Sequence, residues 1–424
     1  MMFNNKLREE IRSAFPRAAV DFRGRKRIFF DNGTATLVVD KAAKAESVAR
    51  IECSANVGAI FDESKQAEAV IQKGREDVAD FLNASSPSTI VTGESATSLM
   101  FNLSYALGRE FSGKENVVTT NYEHYTNVSP WVELEERGKI KELRCSKLSM
   151  DEGTLNLEHL QELIDSNTKI VTVTSASNMF GTKTPLKEVG KLAKEVGAYF
   201  IVDAVHHIAH GPTDVQEIDC DFLVFSGYKL FSSHGSYLYG KQEHLETVRP
   251  FKVKPATNIP PGKFEWGTRN QASFAAISGV MDHFHWLACQ IDPSSEDLDR
   301  KKSLRNAMNA IEGYEKKFSE SILTGVDDVP GLLEIPEVKI FGITDIDRLN
   351  ERDPTFSIEI DNVSGDEIAK RLWKDAGIAA RAGHFYSYAQ DIYNKPKVYR
   401  ISLVHYNTHE EIKIFLKALN NIVI

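Results

Sequence analysis

Two short apolar runs end in residues that can do chemistry together: YFIVD closes on Asp203, and DFLVF is followed by Ser226 and Lys229. A lysine amine condenses with an aldehyde to form a Schiff base, and a carboxylate beside a pyridine ring keeps the ring nitrogen protonated and electron-withdrawing. Lys229 and Asp203 are of the right types for that pair of tasks. Spacing alone leaves plainer roles open, a solvated loop lysine and an aspartate serving a turn or a helix cap. A third segment, Gly93-Glu94-Ser95-Ala96-Thr97, lies between the strand-like STIVTG and the helical ATSLMFNLSYALGREF. A helix N-terminus there offers free amides and the positive end of its dipole to a phosphate, with Ser95 as the hydroxyl and Ala96 beside it. An ordinary N-cap serine is the alternative. Glu94 would repel a phosphate, so its side chain must point elsewhere.

Such residues converge only if the chain builds a sheet whose strand ends open on one crevice. From about Ser88 to Gly240, β-rich runs alternate with helical stretches such as PLKEVGKLAKEVGA, the pattern of a mostly parallel sheet flanked by helices. Ligands of such sheets sit at the carboxyl ends of the strands. After Phe264 the pattern changes to long helices, then to a smaller unit with strands PTFSIEIDN and KVYRISLVHYN around a helix ended by Gly377. The last helix starts at Thr408 with Glu411 three residues on, a capping-box signature. A length of 424 residues with 42% hydrophobic content calls for more than one domain. The expected division is a large domain over residues 20–290 and a small one over 291–424, with residues 1–20 packing on the small domain.

A formal net charge of −9 provides no basic field for nucleic acid or an anionic membrane, which leaves a small molecule as the expected partner. Cys53, Cys145, Cys220 and Cys289 make no CxxC pair, against a structural zinc site or a disulfide framework and in keeping with a reducing cytoplasm. The N-terminal stretch has no apolar h-region, and no apolar run is long enough to span a membrane.

Six segments together resemble the class V aminotransferase and cysteine desulfurase family, a branch of the fold-type I pyridoxal-phosphate enzymes. FFDNGTAT (Phe29 to Thr36) resembles the family's LDNAATT; its Asn32 is taken as a substrate contact. EHYTNVSPW resembles EHHxNxxPW, which implies that His124 stacks on the cofactor ring. SNMFG resembles SNxxG and puts Asn178 near the phenolic oxygen. VDAVH resembles VDxxQ, with Asp203 at the pyridine nitrogen and His206 where the family has glutamine or histidine. SGYK resembles SxHK, with Lys229 as the Schiff-base lysine, Ser226 on the phosphate and Tyr228 in place of histidine. FEWGT resembles FExGT, whose threonine, here Thr268, reaches the phosphate of a neighbouring subunit and implies a homodimer. The resemblance implies an α/β fold with a mainly parallel seven-stranded sheet and a small α+β C-terminal domain.

The pattern breaks at the desulfurase loop RxGHHC, which here reads Arg381-Ala382-Gly383-His384-Phe385-Tyr386. Arg381 is retained and suits a bidentate grip on an α-carboxylate. Tyr386 stands at the cysteine position, and a phenol carries no persulfide. The activity expected is therefore β-elimination from a cysteine-like amino acid without a persulfide cysteine, with transamination or epimerisation as the alternative. Three other classes compete less well. A serine hydrolase built on GESAT lacks the last glycine of its elbow, and a metalloenzyme built on the cluster of His206, His207 and His210 lacks the helix that such spacing needs. A binding or regulatory protein would not need Lys229, Asp203 and Arg381 together. No metal is expected.

Overall fold

The computed structural model describes residues 3–149 and 152–423. Its main sheet has seven strands: β1 Ile90–Gly93, β2 Asn116–Thr120, β3 Glu142–Ser146, β4 Thr168–Thr174, β5 Tyr199–Asp203, β6 Phe222–Ser226 and β7 Ser236–Gly240. Their spatial order is β1-β7-β6-β5-β4-β2-β3. Only β7 runs against the rest, pairing antiparallel with both β1 and β6. The continuous apolar runs follow from burial on both faces. Ile201, Phe222 and Val224 point to one side, against Leu99, Met100 and Leu103 of the helix Ala96–Leu107. Phe200, Val202, Leu223 and Phe225 point to the other, where Phe81 and Phe284 lie.

The smaller unit is an antiparallel sheet of β8 Val338–Phe341, β9 Thr355–Ile360, β10 Arg381–Gly383 and β11 Val398–Ser402, in the order β8-β9-β11-β10. Helix Gly365–Ala376 beside it ends at Gly377, whose φ of 67° is left-handed and favours glycine. The last helix opens on the expected capping box: Thr408 Oγ1 accepts from the Glu411 amide and Glu411 Oε2 from the Thr408 amide, both at 3.1 Å. Helix Asn5–Ser13 is tied to this end of the chain by the Arg12–Glu411 ion pair and by an Arg12 bond to Tyr406 O at 2.9 Å. That attachment runs past residue 20: Ile28–Phe29 pairs in parallel with Ile378–Ala379, and the Ser402 amide donates to Phe30 O at 2.7 Å. Gly33 and Thr34 are thereby delivered to the mouth of the main sheet. Among the described residues, no helix is long and apolar enough to cross a membrane.

Candidate active site

A cavity of about 260 Å³ opens where β4, β5 and β6 end, and Thr174, Asp203 and Ser226 from those ends line it. Lys229 enters from the tight turn Gly227–Lys229. A Cβ at Gly227 would meet Ser233 O at 2.9 Å, so the turn needs glycine at that point. The Lys229 amine donates to Gly33 O. Burial, seconded by the neighbouring Arg400 charge, pulls its pKa down to about 7, so much of the amine is neutral near pH 7. Asp203 is fully buried, and its Oδ1 accepts from the Val205 amide at 2.9 Å. Burial pushes this carboxyl up to about 6, partly opposed by that amide and by Lys229. A cationic N–H placed against it would restore the ionised form.

His124 lines the same cavity, with Nδ1 accepting the Thr126 amide at 3.1 Å. Burial and then the Lys229 charge lower it to about 4, which leaves a neutral, flat ring suited to stacking. His206 also lines the cavity and is held neutral by burial. Asn178 donates to Phe385 O at 2.9 Å, while its Oδ1 is buried without a partner. Ser95 caps the helix Ala96–Leu107 in a reciprocal box with Ser98. Ala96 and Thr97 line the cavity together with Ser226, and amides in the first turn of a helix have no acceptor within it. These features fit pyridoxal phosphate: an amide-rich cradle for a dianion, a buried carboxyl wanting a cation, an orphaned polar atom and an accessible amine. They do not fit a serine nucleophile, because the Ser95 hydroxyl donates to Ser98 Oγ at 3.1 Å rather than to a basic nitrogen.

Ten of the residues singled out in the sequence line this one cavity: Ser95, Ala96, His124 and Asn178, then Asp203, His206, Ser226, Tyr228, Lys229 and Arg381. Two do not. Asn32, the expected substrate contact, is buried behind Gly33; its amide donates to Ser402 O at 2.8 Å, its Oδ1 accepts from the Tyr406 hydroxyl, and it pins the segment that carries Gly33. Thr268 is exposed and lies in a neighbouring cleft with His234, Ser236 and Trp266. Glu94 lines that cleft too, away from the cradle. The two spaces share a wall in which Ser226 and Ser236 hydroxyls meet at 2.9 Å.

The residue missed in the sequence is Arg400. Fully buried on β11, it lines the cavity, donates to Asn178 O and Thr34 Oγ1 at 2.8 Å and lies 3.8 Å over the Phe385 ring. A charge at a buried strand position in VYRIS was the available signal. Arg381, by contrast, is half exposed and already paired with Asp31 at 2.7 Å. The loop that follows is pinned: buried Gln390 accepts the Phe385 amide at 2.6 Å and donates to Gly383 O at 3.0 Å. Tyr386 sits at its apex with a left-handed φ of 53° and its ring 6.0 Å from that of His124. None of the four cysteines is among the residues lining the cavity.

Comparison with known proteins bears on the family and the fold. The aminotransferase class-V family model matches residues 28–319 and 302–415. A cysteine desulfurase of Pectobacterium atrosepticum is 29% identical over 433 residues, 98% of this chain and 97% of that one. A probable cysteine desulfurase of Synechocystis is 31% identical over 360 residues, 81% of this chain and 78% of that one. Among solved structures, the apo cysteine desulfurase of Thermococcus onnurineus has a TM-score of 0.82 at 25% identity, with 98% of each chain covered. A cysteine desulfurase from Escherichia coli has a TM-score of 0.79 at 23% identity over the same share of both chains, a likeness of fold. The expected seven-stranded α/β fold is the one these structures have.

Proposed function

The chain belongs to the aminotransferase class-V family, and on that premise we propose that it is a pyridoxal-phosphate enzyme that releases sulfide from a cysteine-like amino acid without a persulfide cysteine. The observation that carries the reading is the convergence of Lys229, Asp203 and Arg400 on one cavity whose loop presents Tyr386 where desulfurases carry cysteine. When bound, the cofactor supplies an aldehyde carbon for the substrate amine and a ring that withdraws electrons from the α-carbon. Lys229 would anchor it and, with an amine only partly protonated near pH 7, would take the α-proton. Asp203 would hold a proton on the pyridine nitrogen, and His124 would offer its neutral ring to the ring face. Ser95, Ala96 and Ser226 would hold the phosphate, with His206 and Asn178 toward the phenolic oxygen. An arginine of the cavity would hold the substrate carboxylate and so fix which Cα bond is presented to Lys229.

Release of the sulfur as free sulfide follows from the absence of a thiolate to receive it. Burial lifts the thiols of Cys53, Cys145, Cys220 and Cys289 above their ordinary value, Cys145 to about 12. Product analysis over a panel of amino acids tests the reading: cysteine should give sulfide and pyruvate in equal amounts. Alanine with protein-bound sulfur would mean a relay, a keto acid with retained sulfur transamination, and the D-amino acid epimerisation. A variant with all four cysteines changed to serine is expected to keep sulfide release near the wild-type rate. Tyr386→Cys is expected to trap labelled sulfur covalently. A folded, cofactor-loaded Cys-free protein without sulfide release would sink the proposal.

Thr268 belongs to the same reading as a contact made across a two-fold dimer, the commonest closed assembly. Its exposure beside the Ser226–Ser236 wall supports that role. Thr268→Ala is expected to weaken cofactor retention about 10-fold by loss of a hydrogen bond to a charged group. Equilibrium dialysis measures it, and sedimentation of a fully active monomer would contradict it. A cytoplasmic location is proposed with it, on the four unpaired cysteines.

A further inference from the structure

Behind the cavity wall lies a second polar cluster, which shares only His206 with the proposed cofactor site. His206 and His210 flank the turn His207–Ala209 after β5, and Asp353 lies just before β9. One nitrogen of each of the two rings and one carboxylate oxygen lie within 4.8 Å of one another, and all three residues are buried. The surrounding groups orient them. His210 Nδ1 meets Glu315 Oε2 at 2.6 Å, which leaves Nε2 as its second donor atom. Asp353 is met by His207 Nδ1 at 3.0 Å, with the Lys183 ammonium 3.9 Å away. His206 Nε2 is buried, in a residue only 6% exposed, and has no hydrogen-bond partner.

We propose that His206, His210 and Asp353 form a binding site for a first-row divalent cation, zinc by its chemistry. Two imidazoles and one carboxylate are the donor set of such ions, and the carboxylate behind His210 is the outer partner that ligating histidines regularly have. Bonds of about 2.0–2.1 Å to a tetrahedral ion would hold the three atoms about 3.3 Å apart, a closure of roughly 1.5 Å that small side-chain rotations supply. Glu312, Glu315 and Asp353 face Lys183, Lys316 and Arg352 around the cleft, so the donor atoms themselves, rather than an excess of negative charge, would hold the ion. Access is separate from the main cavity, because His210, Glu315 and Asp353 border another cleft of about 230 Å³. His206 also lines the main cavity. With Nε2 on the ion, its proton resides on Nδ1, which fixes the tautomer that no hydrogen bond fixes now. The ion thus clasps the end of β5 to the entry of β9 and sets a donor beside the phenolic edge.

Cobalt titration of protein stripped by a chelator tests this, using borohydride-reduced protein so that the cofactor stays fixed on the chain, with His206 and His210 variants separating its own metal binding from that of the cluster. About one cobalt per chain with tetrahedral visible bands is expected. His206→Gln should lower this below a tenth, with cofactor load read on the same sample. Glu315→Gln should weaken binding about 10- to 100-fold. Should His206→Gln fail to fold, His210→Gln carries the same comparison. Wild-type protein that retains no cobalt after dialysis, or a His206→Gln protein that retains as much as wild type, would overturn the site. Either result leaves the cofactor reading untouched, since cofactor load is measured on the same samples.

Discussion

Lys229→Ala is expected to give a folded protein that takes up pyridoxal phosphate without holding it covalently and loses about 10³-fold or more in turnover. Two tasks vanish together, the anchor and the proton carrier, and proton transfer alone is worth about 10²- to 10⁴-fold. Borohydride followed by dialysis should leave label on wild type and none on the variant. A stability signature accompanies the loss. In the folded, cofactor-free protein the amine has a pKa of about 7 against an ordinary 10.5. Between those values the unfolded chain binds the extra proton, so the stability of wild type rises with pH across that window. Below pH 7 the penalty is complete, on the order of 3 kcal/mol once water in the cavity is allowed for. Cofactor-free Lys229→Ala should therefore melt above cofactor-free wild type at pH 6, and the gap should close as pH approaches 10.5. An equal melting difference at both pH values would mean that the amine is not desolvated.

What was legible in the sequence was whatever depends on strand ends. Asp203, Ser226 and Lys229 follow runs buried on both faces, and a parallel sheet sends such residues to one crevice whatever the details of its loops. Ser95 and Ala96 were legible for the same reason, as the first residues after a strand and before a helix. Residues whose roles depend on how distant segments meet were not. Asn32 is one position from a cavity residue, and only the bonds to Ser402 and Tyr406 show that it faces inward. The pair of His206 and His210 was visible as spacing, but Asp353 joins them only when the segment entering β9 meets the turn after β5. Arg400 was hidden by register: its place on β11, opposite Arg381 of β10 and Ser357 of β9, exists only in the folded sheet.

In the proposed reaction, that register bears on which arginine would hold the substrate carboxylate. Arg381 is half exposed and bound to Asp31, so an incoming carboxylate must displace a partner already in place. Arg400 is fully buried, its pKa pulled down to about 10 chiefly by that burial, and it stands 3.9 Å from Asp31. A buried guanidinium whose main contacts are a carbonyl, a hydroxyl and a ring face gains most from a carboxylate. Arg400→Lys is therefore expected to lower kcat/KM for cysteine about 10- to 100-fold, mostly through KM, the loss of a charged, forked hydrogen bond of about 1.5–3 kcal/mol. Arg381→Ala should cost less, about 10-fold or below, because an exposed charge is screened. The discriminating readout is cysteamine, which lacks the carboxylate: Arg400→Lys should narrow the preference for cysteine over cysteamine, whereas a merely structural defect would lower both rates alike. If Arg381→Ala erases that preference and Arg400→Lys keeps it, the carboxylate binds at the mouth of the cavity, with Asp31 as the group it displaces.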